Sequence, residues 1–215
     1  MDPDPVEIRV VGCLLEKQRT TPDAYPLSLN ALRLACNQAT NRDPVVDFDE
    51  ATVVEALRRT ALRGWTRLAS GAGSRARKYR HLLGEALDLD DAELSLLAVL
   101  MLRGIQTPGE LKQRVDRLHH FADFASVHET LERLIKRGHV ARLERRPGQK
   151  EERYEQLLGG GEDASSEALP SDAEVPPERA QSPAPDAADD RLERLERELA
   201  ELRGQVRELR DALGG

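Results

Sequence analysis

The fold of this chain is decided by residues 53–84, VVEALRRTALRGWTRLASGAGSRARKYRHLLG, and by their partial repeat at residues 127–159, VHETLERLIKRGHVARLERRPGQKEERYEQLLG. Each stretch has the pattern of an amphipathic helix, a glycine, two strand-like segments and a Leu-Leu-Gly ending. Leu57, Gly64, Tyr79, Leu82, Leu83 and Gly84 recur as Leu131, Gly138, Tyr154, Leu157, Leu158 and Gly159, at a shift of 74 to 75 residues. This period is too long for a solenoid and indicates two tandem copies of one small domain.

Helix signals upstream of each stretch extend the repeat to whole domains. In the first copy, residues 6–17 carry apolar side chains on one helical face. Thr21-Pro22 predicts the N-cap and first residue of a second helix. Asp47 with Glu50 predicts a capping box that opens a third helix, which ends at Gly64.

The second copy repeats this plan. Residues 90–93 and 107–110 predict capping boxes that open its first two helices, and a third helix is predicted from Ser126 to Gly138. Hairpins are predicted from residues 65–80 in copy one and 140–154 in copy two. The predicted fold is therefore mainly α with small β-hairpins (α+β), in a tandem winged-helix arrangement whose second and third helices form the helix-turn-helix and whose hairpin is the wing.

Four segments are predicted: winged-helix domains at 1–85 and 86–158, a disordered linker at 159–190, and a coiled-coil helix at 191–213. The net charge of −7 is concentrated in the linker, which has 9 acidic residues and 1 basic residue, whereas residues 1–158 carry 25 basic and 24 acidic residues. A segment so acidic and so poor in aromatic residues cannot bury enough apolar surface to order itself.

The C-terminal segment has a heptad pattern of apolar residues at every a and d position. These residues are Leu192, Leu195, Leu199, Leu202, Val206, Leu209 and Leu213. In a parallel homodimer, Arg191 would face Glu196 and Glu198 would face Arg203, so the charges favour that pairing. The alternative is a helix that packs on its own chain.

Composition favours a cytoplasmic protein. No apolar segment has the length that a signal peptide or a membrane span needs. Cys13 and Cys36 lie in apolar helical patterns, which predicts buried free thiols, with a disulfide between them as the alternative.

The segment from Leu14 to Val45, LLEKQRTTPDAYPLSLNALRLACNQATNRDPV, resembles the signature of the YceH-like proteins, an uncharacterised bacterial family. The resemblance continues through residues 103–111 and 146–148, and through the C-terminal heptads. It implies a tandem winged-helix fold and carries no established activity.

Basic residues cluster on both predicted hairpins. Residues 56–84 contain eight basic residues and no acidic residue. Such hairpins could straddle a DNA backbone, where each neutralised phosphate releases counterions. The predicted DNA-contacting residues are Arg75, Arg77, Lys78, Arg80, Arg145, Arg146 and Lys150. The alternative is solvated surface charge with no ligand.

The third helices argue against sequence-specific readout. Their exposed N-terminal halves carry Asp49, Glu50 and Glu55 in copy one and His128, Glu129 and Glu132 in copy two. Carboxylates repel phosphates and are uncommon base-reading groups. Binding is therefore expected to depend on the hairpins and on Lys112, Arg114 and Arg117 of the second helix.

The polar loop between the second and third helices has two interpretations. Its side chains could cap the two helices, or they could form a contact surface for nucleic acid or protein. The residues of that candidate surface are Asn37, Gln38, Asn41 and Arg42, with Arg42 as the leading contact residue.

Catalysis is not indicated. The five histidines and two cysteines lack metal-ligand spacing, and no cofactor, metal, nucleophile or phosphate-loop motif is apparent. The first hypothesis is a dimeric protein that binds double-stranded DNA, with a regulatory role in transcription. The alternative is a winged-helix protein-interaction scaffold in a chromosome-organising or transcription complex.

Overall fold

A computed structural model of the chain describes residues 2–69, 77–144 and 151–159, which have a mixed α+β architecture. The tips of both hairpins, the predicted linker beyond Gly159 and the predicted coiled coil lie outside these ranges. Within them, no helix combines the length and apolar character needed to cross a bilayer.

The first copy of the repeat forms three helices and a small antiparallel sheet. Its elements are α1 (Pro5–Thr20), β1 (Leu27–Ser28), α2 (Leu29–Cys36), α3 (Glu50–Leu62), β2 (Thr66–Leu68) and β3 (Lys78–His81). The strand order is β1-β3-β2, so β3 is the central strand. A short helix, α4 (Leu83–Leu87), follows and contains the predicted domain boundary between residues 85 and 86.

The second copy repeats this order of helices and hairpin. Its elements are α5 (Asp91–Arg103), α6 (Pro108–Val115), α7 (Phe124–Lys136), β4 (Val140–Leu143) and β5 (Arg153–Gln156). An isolated bridge between Gln106 and Tyr154 matches the pairing of Leu27 with Tyr79 in the first half. Both third helices are followed by a glycine at φ 75°, Gly64 and Gly138, as the sequence predicted.

The start of α2 differs from the prediction. The N-cap is Ser28, whose hydroxyl accepts from the Ala31 backbone N–H, and Thr21-Pro22 instead begins a single 3-10 turn. Pro26 explains the error, because it lacks a backbone N–H and disfavours helical geometry in the residue before it. Ser28, seven residues after Thr21, is therefore the counterpart of Thr107, the N-cap of the second helix in copy two.

Both third helices also start at a different residue from the one predicted. Asp49, not Asp47, caps α3, and its carboxylate accepts from the Thr52 N–H at 2.7 Å. Asp123, not Ser126, caps α7, and Ser126 is the third residue of the helix and completes the capping box. Each region offers several competent capping side chains within four residues, and local sequence does not rank them. The predicted boxes at 90–93 and 107–110 are confirmed.

The two copies share a hydrophobic core through α1 and α5. Every residue is buried from 7 to 16 and from 93 to 102, so α1 has no solvent face along this length, contrary to the one-sided pattern expected. α1 divides its side chains between two clusters, with Val10 and Leu14 in one and Val11 and Leu15 in the other. At Gly12 an added Cβ would lie 3.0 Å from Leu102 of α5. The absence of a side chain there allows the two helices to approach closely.

Candidate nucleic-acid interface

Three basic side chains share one face of the first hairpin. Arg67 on β2 is paired directly with Arg80 on β3, and Lys78 lies two residues before Arg80. Directly paired residues share a face and alternate residues on a strand do too, so all three project from the same side. Thr66 and His81 occupy the opposite face and are buried.

This basic face contains little compensating negative charge. Arg80 donates to Glu85 at 3.0 Å, whereas Arg67 and Lys78 form no ion pair with any other residue in the described ranges. Like charges at directly paired positions destabilise a hairpin. A row of phosphates beside this face would reduce that repulsion.

The predicted DNA-contacting residues divide into two groups. Arg77, Lys78 and Arg80 are described, while Arg75, Arg145, Arg146 and Lys150 lie outside the described ranges. The alternation along the strand places Arg77 on the side of Tyr79, away from Lys78 and Arg80. Arg67, which was not among the predicted contacts, joins the basic face because of the strand register.

The arginines at the end of α3 bind the start of α1. Asp4 and Glu7 form a capping box there, with each carboxylate accepting from the other residue's backbone N–H at 2.8 and 3.0 Å. Arg59 donates to Asp4 at 2.7 Å, and Arg63 donates to Glu7 at 3.2 Å. These two arginines therefore join α3 to α1.

The second copy repeats this network at the start of α5. Arg133 donates to Asp90 at 3.0 Å and to Glu93 at 3.3 Å, and Arg137 lies 3.6 Å from Glu93. In the sequence, Arg59 and Arg63 are distinguished only as two of the eight basic residues between positions 56 and 84. The capping-box spacing of Asp4 and Glu7 is the sequence signal for this network.

Acidic residues of the third helices also have partners within the chain. Asp49 caps α3, and Glu55 accepts from Arg58 at 2.7 Å. In copy two, Glu132 pairs with Arg142 of β4. Two of the five acidic residues that argued against DNA readout, Glu55 and Glu132, are thus paired with neighbouring arginines.

The polar loop between α2 and α3 connects the two helices with its own side chains. The Asn37 side chain accepts from the Phe48 N–H and donates to the Phe48 carbonyl, both at 2.9 Å. Asn41 adopts a positive φ of 61° and accepts from Arg103. Gln38 accepts from Arg42 at 3.0 Å. These contacts favour a structural role for the loop over a contact surface, and they bridge its side chains to Phe48, Arg103 and Arg42 instead of capping the helix ends.

Arg42 is buried, which contradicts the prediction that it is the leading contact residue of a surface loop. Its side chain is 0% exposed and binds Glu16, whose side chain is 2% exposed, with Nη2 and Oε2 2.5 Å apart. It also donates to the carbonyl of Ala35 at 3.0 Å. These bonds keep the Arg42 guanidinium from an external ligand. The hydrogen bond from Arg42, with the nearby Arg117, also lowers the pKa of Glu16 despite its burial.

The basic residues in and after α6 are also engaged. Lys112 donates to the carbonyl of Phe121 at 2.7 Å, and Arg114 pairs with Glu110 at 3.2 Å. Arg117 pairs with the buried Glu16. The expectation that these three residues hold DNA therefore loses support, whereas Arg67 and Lys78 of the first hairpin have no acidic partner in the described ranges.

Both cysteines are buried free thiols, as the sequence predicted. Cys13 lies on α1 and Cys36 ends α2. A hydrogen bond with Cys13, together with burial, raises the pKa of the Cys36 thiol. Burial and protonation both oppose thiol reactivity at Cys36.

Comparison with known proteins identifies the family. The family model described as "Protein of unknown function, DUF480" matches residues 4–149. A UPF0502 protein of Geotalea uraniireducens is 48% identical over 200 residues, which cover 92% of this chain and 89% of the relative. The UPF0502 protein YceH of Salmonella paratyphi B is 43% identical over 219 residues, which cover 97% of this chain and 96% of the relative. The chain therefore belongs to the DUF480/UPF0502 family of bacterial proteins, as its resemblance to YceH-like proteins implied.

Proposed function

We propose that this chain is a non-enzymatic tandem winged-helix protein that binds double-stranded DNA through its basic hairpins, as a cytoplasmic homodimer with a role in transcriptional regulation. The order of three helices and a hairpin in each copy supports the winged-helix assignment. Helices α2 and α3, and α6 and α7, would be the helix-turn-helix pairs, and the hairpins would be the wings.

The basic face of Arg67, Lys78 and Arg80 is the observation that carries the proposal. Flexible basic side chains on an exposed hairpin suit phosphate oxygens, and such contacts position a protein on DNA without reading its sequence. The predicted contacts outside the described ranges, Arg75, Arg145, Arg146 and Lys150, would add to the same electrostatic attraction. Binding is thus expected to be strong at low salt and weakly sequence-selective.

Fluorescence anisotropy with a mixed-sequence DNA duplex tests this proposal. The variant Arg67→Ala, Lys78→Ala, Arg80→Ala should weaken binding by a similar factor for different duplex sequences, because it removes phosphate contacts. The matched control Arg67→Lys, Arg80→Lys keeps the charge and should retain most of the affinity. Equal affinity of the alanine variant and the parent protein would overturn DNA binding by this face.

A protein-interaction scaffold in a chromosome-organising or transcription complex is the second candidate. Exposed apolar side chains on copy one favour it: Val54, Leu62 and Leu68 are 45%, 78% and 49% exposed. Residues of this kind are common in protein interfaces and contribute little to phosphate binding. Absence of salt-sensitive duplex binding in the full chain would favour this alternative.

A further inference from the structure

An open groove runs between α3 and the first hairpin. It has a volume of about 330 Å³, and its lining includes Leu57, Ala61, Leu68 and Tyr79. Arg58 from the helix and Arg77 from the hairpin also line it. The groove therefore combines an apolar floor with guanidinium groups from both walls.

The second copy provides an internal comparison, because ion pairs span the equivalent surface. Leu68 corresponds to Arg142, Arg58 to Glu132 and Arg77 to Glu152, at shifts of 74 to 75 residues. Arg142 pairs with Glu132 of α7 and lies 3.5 Å from Glu152 of the hairpin. Ion pairs thus join helix to hairpin in copy two, while copy one has apolar groups and arginines at the same positions.

This contrast defines the chemistry of an occupant. Among the described residues, Glu55 is the only acidic partner of Arg58, and Arg77 has no ion pair. Carboxylates would pair with the guanidiniums, and aliphatic side chains would cover Leu68 and Tyr79. Duplex DNA offers phosphates and few apolar groups, so an acidic peptide with spaced aliphatic residues fits the groove better.

The chain contains such a peptide directly after its last described residue. Residues 160–190 include 9 acidic residues and 1 basic residue, with Leu169 and Val175 as aliphatic groups six positions apart. A Cβ added to Gly159 would lie 3.6 Å from the Pro3 carbonyl, and the next residue, Asp4, binds Arg59 of α3. The last described residue before the segment therefore lies beside the start of α1, the end of that helix to which Arg59 of α3 is bonded.

Chain length and tethering both permit docking in the groove. Ten extended residues span up to about 35 Å, whereas the 13-residue α3 is only about 20 Å long. A short tether also gives an effective concentration on the order of millimolar, so even a weak intramolecular contact becomes populated.

We propose that the groove between α3 and the first hairpin is the docking site for the acidic segment at residues 160–190 of the same chain. Carboxylates of the segment pair with Arg58 and Arg77, and Leu169 or Val175 covers the apolar floor. Copy two, with its groove closed by the Arg142 ion pairs, does not bind the segment.

Paramagnetic relaxation in the full-length chain tests the docking. A nitroxide attached through Ser171→Cys should broaden the methyl resonances of Val54 and Leu68 at low salt, and it should leave those of Leu131 and Ile135 in copy two sharp. The variant Arg58→Glu, Leu68→Arg, Arg77→Glu gives copy one the ion-pairing residues of copy two and should abolish the broadening. Lys136→Glu, a charge reversal on copy two, should not change it.

Two further samples identify the occupant. Mixing isotope-labelled chain without nitroxide with unlabelled nitroxide chain should give no broadening, because docking is intramolecular. A nitroxide attached through Gln205→Cys in the heptad segment should also leave the groove resonances sharp. Broadening in the mixture would assign the groove to a second copy, and broadening from position 205 alone would assign it to the heptad helix. Either result, or sharp groove methyls with the label at 171, overturns the proposal.

Discussion

Glu7 and Glu93 occupy equivalent positions in the two copies and make the same contacts. Each is the third residue of the first helix in its copy, each closes a capping box, and each has arginine partners on the third helix. Their exposed fractions are 1% and 2%. The duplicated network joins the first helix of each copy to the helix that leads into its hairpin.

We expect Glu7→Gln and Glu93→Gln to destabilise the chain by similar amounts, about 1–3 kcal/mol each. The estimate is below that for a fully buried pair because the arginine partners are partly exposed. Urea unfolding of the full chain measures the cost, and Glu129→Gln on the exposed face of α7 is a suitable control. An unchanged midpoint for either buried variant would contradict the structural role of the network.

Arg42→Ala should cost about 3 kcal/mol or more, because it leaves the carboxylate of Glu16 buried with one fewer partner. Glu16→Gln combined with Arg42→Ala should be less damaging than the sum of the two single substitutions, since the uncompensated charge is removed. Thermal or urea unfolding of the three variants provides the comparison. Fully additive losses would show that the two residues are not coupled.

His81 should make stability depend on pH. Burial, with smaller effects from Arg19 and Arg80, lowers the pKa of His81 to about 4. The unfolded chain, with a histidine pKa near 6.5, binds a proton at higher pH than the folded chain does. The free energy of unfolding is thus highest above about pH 6.5, where His81 is neutral in both the folded and the unfolded chain. It decreases by about 3 kcal/mol as the pH falls to about 4.

The NMR titration of the His81 ring measures this pKa directly, and His81→Gln should flatten the dependence of the unfolding midpoint on pH between 4 and 6.5. A His81 pKa near 6.5 would contradict the buried, neutral imidazole.

The predicted coiled coil leads to a separate expectation for the oligomeric state. If residues 191–213 pair as a parallel dimer, the full chain should sediment as a dimer at micromolar concentration, and removal of residues 191–215 should shift it toward monomer. Glu198→Arg alone should weaken the dimer, whereas exchanging Glu198 with Arg203 should preserve it. A dimer that survives the truncation would place association in the folded halves instead.

Local features of the fold were accessible from sequence, and long-range ones were not. The third helices, the glycines that end them and the hairpins follow from periodicity and turn residues that act within a few positions. The start of α2 was misplaced because Thr21-Pro22 has the local pattern of a helix start that Pro26 then disrupts.

The candidate site was only partly predictable for the same reason. Basic character on the first hairpin was evident from composition, but the strand register decides that Arg67 lies on the same face as Lys78 and Arg80. The burial of Arg42 depends on Glu16, 26 residues away, and the partner of Arg59 is 55 residues away. No local pattern distinguishes such arginines from those that remain available at the surface.

The salt dependence of duplex DNA binding tests the central claim most directly. The logarithm of the binding constant of the full chain should fall linearly with the logarithm of salt concentration, and Arg67→Ala, Lys78→Ala, Arg80→Ala should reduce the slope by up to about 2.7, or about 0.9 for each lost phosphate contact. The unfolding midpoint in urea should change little, because exposed residues on a hairpin contribute little to stability. A slope that is the same in the parent protein and the variant, or binding that does not respond to salt, would contradict DNA recognition by the first hairpin.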